Sequence, residues 1–155
     1  MKIRKAKKED INKIVIVMLE IAKLHIKGRP DFFKEQSEKN MRENVIQKII
    51  DNNSEILVAV NEKEITGILI YRLKKIEKHQ NLKDAKILWI EEIGVKEGRK
   101  KEGIGKLLME KAKEIAKKEK CERLELNCWC FNTNAIAFYE KIGMTKQRLN
   151  MEIKL

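Results

Sequence analysis

A chain of 155 residues has the length of one domain and can bury roughly two-thirds of its unfolded surface, so no disulfide or metal staple is required. Hydrophobic residues at 43% and charged residues at 38% exclude a disordered chain, and no apolar run approaches the ~20 residues of a membrane span. The net charge of +11 is spread along the whole chain rather than gathered in one arm, which argues against a nucleic-acid partner and for a lysine-rich surface.

Lys2 to Ala6 alternates weakly and predicts a short edge strand. Glu9 and Asp10 then precede Ile11, Ile14, Val15, Met18, Leu19, Ala22 and Leu24, an apolar stripe at helical spacing with acids in the first turn, where the helix dipole favours them. Gly28, Arg29 and the single proline, Pro30, break that helix. Phe32 and Phe33 follow in a loop-like segment, either walling a pocket or tucking the first helix onto the second. Met41, Val45, Ile46, Ile49 and Ile50 define a second helix, closed by Asp51, Asn52 and Asn53.

From Glu55 the period changes. Two apolar runs, 56–60 and 65–71, flank a short polar turn and predict an antiparallel hairpin, with Gly67 marking a bulge or a close backbone approach. Residues 74–86 read as a polar loop, and the next strand starts at Leu88. That strand ends in a basic, glycine-bearing turn, Arg99, Lys100, Lys101, Glu102, Gly103, Ile104, Gly105, which opens a helix. Free amides and the positive end of a helix dipole converge in such a turn, so it is suited to an anion such as a phosphate.

Ile104, Leu107, Leu108, Ala112, Ile115 and Ala116 give the helix its apolar face. Residues 122–130 predict a strand, Asn132 and Thr133 cap a short helix that stops at Gly143, and residues 144–155 supply one or two closing strands. With no linker or repeat, residues 1–155 form one domain. The expected fold is α/β, a mixed sheet of six or seven strands flanked by about four helices on both faces.

Cys121, Cys128 and Cys130 are odd in number, without framework spacing and without a signal-peptide pattern, which predicts a reducing, cytoplasmic setting. Cys128 and Cys130 lack a second Cys/His pair, so they are expected as small hydrophobes in a strand and no metal is expected.

Two blocks resemble the signatures of the GNAT superfamily of N-acetyltransferases: Val95 with Arg99 to Leu108, and Asn132 to Met144, where Asn132, Ala135, Tyr139 and Gly143 stand at the family's spacing. The element order resembles that fold from end to end. The resemblance implies acetyl-CoA as co-substrate, with its pyrophosphate in the amides of Gly103, Ile104, Gly105 and Lys106 and charge from Arg99, Lys100 and Lys101. Two residues depart from the family pattern: Lys100 holds the position of its Gln or Arg, and Glu102 sets a carboxylate beside the phosphates.

It further implies that the strand before the turn splays from its neighbour. The backbone of Ile93, Gly94 and Val95 would then pair with the pantetheine arm, which Asn132 also reaches. Glu91 matches a glutamate proposed as general base in polyamine-acetylating relatives, with Glu92 as its alternative, since consecutive strand residues face opposite ways. A salt bridge under the sheet with water as the base stays open. Tyr139 matches the tyrosine that protonates the departing thiolate. Cys128 as a covalent nucleophile is disfavoured, because the family transfers directly, and His25 and His79 are expected at the surface.

The expected function is therefore transfer of an acetyl group to a small-molecule, peptide or protein amine. The alternatives are a basic RNA- or ribosome-associated module and an acyl-CoA sensor that keep the fold without catalysis. No membrane partner is expected, and homodimers are common in relatives.

Overall fold

The computed structural model describes residues 1–51 and 53–155. Asn52, expected in the turn after the second helix, lies outside the described residues. The elements run β1 (Lys2–Lys5), a 3-10 turn (Lys8–Asp10), α1 (Ile11–Gly28), α2 (Glu38–Ile50), β2 (Glu55–Asn61), β3 (Glu64–Ile76), β4 (Ala85–Val95), α3 (Ile104–Lys118), β5 (Arg123–Leu126) and α4 (Thr133–Lys141).

The strands form one mixed sheet in the order β1-β2-β3-β4-β5, antiparallel throughout except for the parallel pair β4 and β5. Alternation along β2 sends Ile56 and Val58 to a core with Ile14, Val17 and Met18 of α1 and Met41 and Val45 of α2. Leu57 and Ala59 go to a second core with Leu108, Met109 and Ala112 of α3 and Phe138 of α4. Side chains such as Ile14, Ile68, Leu69 and Leu88 are fully buried, each worth about 1.5–3 kcal/mol of transfer free energy. A bidentate pair from Arg4 to the buried Asp10 (2.6 and 3.0 Å) ties β1 to the turn before α1 and holds the Asp10 carboxyl below its usual range.

Two irregularities interrupt the ladders. Thr66 is an extra residue on β3 opposite Ala59 and Val60, and the neighbouring Gly67 admits Ile104 so closely that a Cβ there would meet its Cγ2 at 2.8 Å. The bulge and the close approach expected of Gly67 thus occur together. On β4 the register steps from Ile70 opposite Glu92 to Tyr71 opposite Ile90, which leaves Glu91 as the extra residue. Leu88 and Ile90 pack on the α3 core before the bulge, whereas Ile93 and Val95 do so after it. The bulge therefore inverts the parity of the strand.

Five strands form among the described residues rather than six or seven. β3 and β4 extend into the expected loop at both ends, and β5 stops at Leu126 instead of continuing to residue 130. Residues 144–155 form no strand despite the alternation of Leu149, Met151, Ile153 and Leu155, all largely exposed. The four-residue β5 offers little edge to pair with, and the tail is held instead by side chains. Glu152 pairs with Arg29 at 2.7 Å, and Gln147 donates to Glu125 at 3.0 Å.

Candidate active site

β4 and β5 pair only as far as Ile90 opposite Leu126. Beyond that point β4 keeps β3 on one edge while its other edge opens, and a cleft of about 770 Å³ fills the gap. Ile93, Gly94 and Val95 line it, with Leu126, Asn127, Cys128, Asn132 and Tyr139 opposite and one face of α1 closing the side. The backbone on that open edge is free to take an extended ligand as an added strand.

The far end of the cleft is built from backbone. Lys100 reaches the lining, and the chain then turns into α3 through Gly103 at φ 78°, a left-handed conformation that glycine adopts without strain. No side chain caps α3, and the first amide to find a helical acceptor is that of Leu107, on the Gly103 carbonyl at 3.1 Å. The amides of Ile104, Gly105 and Lys106 thus remain available, in open space around Gly103, where a Cβ would meet nothing within 4 Å. Those residues lie beyond the cleft lining: the Ile104 side chain is buried in the α3 core, and Lys106 points to Glu110 at 3.8 Å. Lys101 is exposed at φ 70°. Arg99 is turned elsewhere, bound to Glu64 at 2.6 Å and near Glu102 at 3.6 Å, so it braces the loop against β3.

The two glutamates differ sharply. Because the bulge falls at Glu91, both carboxylates turn to the same cleft, contrary to the strict alternation expected of a flat strand. Glu91 is engaged by Lys48 of α2 at 2.6 Å and by Arg72 of β3 at 3.2 Å. Glu92 has no hydrogen bond or ion pair among the described residues. Burial pushes its carboxyl up to about 7, with the Glu91 charge adding to the shift and Lys48 opposing it.

Tyr139 lies across the cleft on α4. Burial chiefly, then Cys128 and Glu92 nearby, raises its phenol above the usual value, so it stays protonated through the neutral range. Asn132 is the N-cap of α4, accepting the Ala135 amide at 3.3 Å, so Ala135 serves the cap and stands outside the cleft lining. Burial likewise raises the Cys128 thiol, the opposite of an activated nucleophile.

Sequence reasoning missed the third wall. His25 is no surface residue: it lines the cleft, and burial lowers its pKa so that the neutral imidazole is favoured. Its ring packs on Phe33 (centroids 5.1 Å), and Phe33 on Trp129 (5.3 Å). Arg29 backs this group from outside, 5.4 Å from the Phe32 and Trp129 centroids. The paired phenylalanines Phe32 and Phe33 are the available signal in the sequence, compatible there with a pocket wall or with helix packing. His79 is an ordinary surface residue whose Nδ1 accepts the Asn81 amide at 3.1 Å. No helix is long and apolar enough to cross a membrane among the described residues.

Solved structures share this architecture. The tetramutant of the BH1408 protein from Bacillus halodurans is 26% identical with a TM-score of 0.95, each chain covered over 100% of its length. A possible acetyltransferase from Clostridium difficile 630 is 22% identical (TM-score 0.80, 99% of this chain and 96% of that one). An aminoglycoside 6'-N-acetyltransferase from Acinetobacter haemolyticus is 15% identical (TM-score 0.74, 100% and 98%). The latter two likenesses speak to the fold alone. The model of the acetyltransferase (GNAT) family matches residues 20–144, and the chain accordingly belongs to that family.

Proposed function

We propose that the protein transfers the acetyl group of acetyl-CoA to a primary amine by direct attack in the cleft between β4 and β5. One observation carries this reading. A half-buried carboxyl on an open-edged strand, without a hydrogen bond or ion pair among the described residues and pushed up to about 7, shares a cleft with a protonated phenol.

Bound acetyl-CoA supplies an activated thioester. The uncapped α3 terminus fits its pyrophosphate, with the amides of Gly103, Ile104, Gly105 and Lys106 as donors and Lys100 and Lys101 as nearby charge. The open backbone edge at Ile93, Gly94 and Val95 fits the pantetheine amides, and Asn132 keeps its side-chain amide for the same arm. An amide on that edge can donate to the thioester oxygen as charge develops there.

An alkylammonium of pKa ~10.4 is almost wholly protonated at pH 7, a deficit of about 4–5 kcal/mol that a base must help overcome. Glu92 accepts that proton. A base near 7 is better matched to the task than an ordinary carboxylate. Tyr139 then delivers its proton to the departing thiolate. Glu91 and Arg99 serve as braces, since both are already held in ion pairs.

Thiol release from acetyl-CoA, followed against pH with a panel of primary amines, tests the reading. The rate should climb through an apparent pKa near 7, and the Glu92→Gln variant should lose that limb. Binding of CoA with no thiol release on any amine would defeat the proposal and favour a sensor.

A further inference from the structure

The acids of the cleft are nearly all engaged. Glu20 accepts the Glu97 amide at 2.7 Å, Glu97 pairs with Lys100 at 2.9 Å, and Glu91 lies between Lys48 and Arg72. Among the described residues of the lining, Glu92 alone presents a carboxyl with no hydrogen bond or ion pair. The other ionisable groups that α1 contributes there are Lys23 and Lys27, both exposed, and the neutral-leaning His25.

The adjoining wall is aromatic. Phe32, Phe33, Trp129 and Phe131 are half of the Phe, Trp and Tyr residues in the chain, and they gather with His25 around one end of the cleft. Phe33 and Trp129 meet edge-on and present their surfaces inward, while Arg29, fixed by Asp31 and Glu152, stiffens them from outside. Aromatic rings pack on such surfaces at centroid distances of about 4.5–7 Å.

Building on the acetyltransferase reading above, we infer that the acceptor is an arylalkyl monoamine, with its ammonium at Glu92 and its ring on Phe33 and Trp129. One free carboxyl matches one cationic nitrogen. A polyamine or an aminoglycoside brings several ammonium groups into a cleft that offers them Lys23, Lys27 and, among the described residues, no second unpaired acid, which selects against both.

The test compares thiol release from acetyl-CoA with phenethylamine and tryptamine against spermidine, kanamycin and a lysine-containing peptide. The aromatic monoamines should show kcat/KM higher by about tenfold or more. Trp129→Ala and Phe33→Ala should each raise KM for phenethylamine about tenfold while the CoA dissociation constant, which also reports folding, stays unchanged. Trp129→Phe should retain most of the affinity.

A second measurement needs no turnover. Phenethylamine alone should alter the tryptophan fluorescence of the wild type, and Trp129→Phe, which leaves only Trp89, should abolish the change. A preference for spermidine, kanamycin or the peptide, or an unresponsive fluorescence, would overturn the inference and leave acetyl transfer standing. No thiol release from any amine despite CoA binding would remove the acetyltransferase reading itself, and the inference with it.

Discussion

The two ends of the cleft are made of different material. At the α3 end the available groups are main-chain amides, shaped by one positive φ at Gly103, and the nearby cations face other partners, Arg99 on Glu64 and Lys100 on Glu97. At the other end the groups are side chains from α1, the loop after it, β4, the segment after β5, and α4. A site of the first kind tolerates exchange of its side chains but not of its glycine. A site of the second kind tolerates backbone drift poorly and changes specificity with single residues.

The largest test of that contrast is Gly103→Asp, which should weaken CoA binding by ~100-fold or more, because it adds strain and a negative charge at the phosphate position. Calorimetric titration with CoA checks it, and unchanged affinity would move the cofactor elsewhere. Next comes Glu92→Gln, expected to lower kcat by about 100-fold.

The Glu92 variant has a second readout. The folded pKa of Glu92 lies above the unfolded one, so the native state prefers the protonated form. Its contribution is fully present below about 4.5 and is lost as pH rises through about 7. Glu92→Gln removes the half-buried charge and should therefore stabilise the fold above neutral pH, on the order of 2 kcal/mol, seen as a raised melting temperature at pH 8 but not at pH 4. A variant that is slower and no more stable at pH 8 would mean that Glu92 is solvated.

Tyr139→Phe should lower turnover by roughly tenfold and leave CoA affinity nearly unchanged. Smallest in rate is Glu91→Gln, which should keep turnover within about threefold while costing about 1–2 kcal/mol of stability by loosening Lys48 and Arg72. If Glu91→Gln and Glu92→Gln slowed the enzyme equally, the distinction between brace and base would fail.

What was legible in the sequence follows the same division. The glycine turn and the segment from Asn132 to Gly143 are continuous in sequence, and their local rules, a positive-φ glycine and an Asn N-cap, operate without knowledge of the rest. Fold class, both helical layers and the antiparallel hairpin came from periodicity for the same reason. The pairing of Glu91 and Glu92 on one face was hidden, because a bulge is a property of two strands together. The aromatic wall joins Phe33 to Trp129 across most of the chain, so no window contains it. The closing strands failed on partner length: alternation at Leu149, Met151, Ile153 and Leu155 signals extended chain, but a ladder needs a neighbour of matching span.

The bulge at Glu91 has one more consequence, which concerns insertions and deletions rather than substitutions. Along β4 the hydrophobic code is read in two frames, even positions up to Ile90 and odd positions from Ile93, and Glu91 is the spacer between them. Replacing that residue alters a charge; removing it merges the two frames into one regular alternation. A chain lacking residue 91 would pair Glu92 and Ile90 with Ile70 and Tyr71 in unbroken register, so Ile93 and Val95 would stay on the α3 core while the strand lost its bulge and the carboxylate that Lys48 and Arg72 hold. A position where a one-residue gap leaves the hydrophobic pattern intact and erases only the bulge is the mark such a spacer should leave.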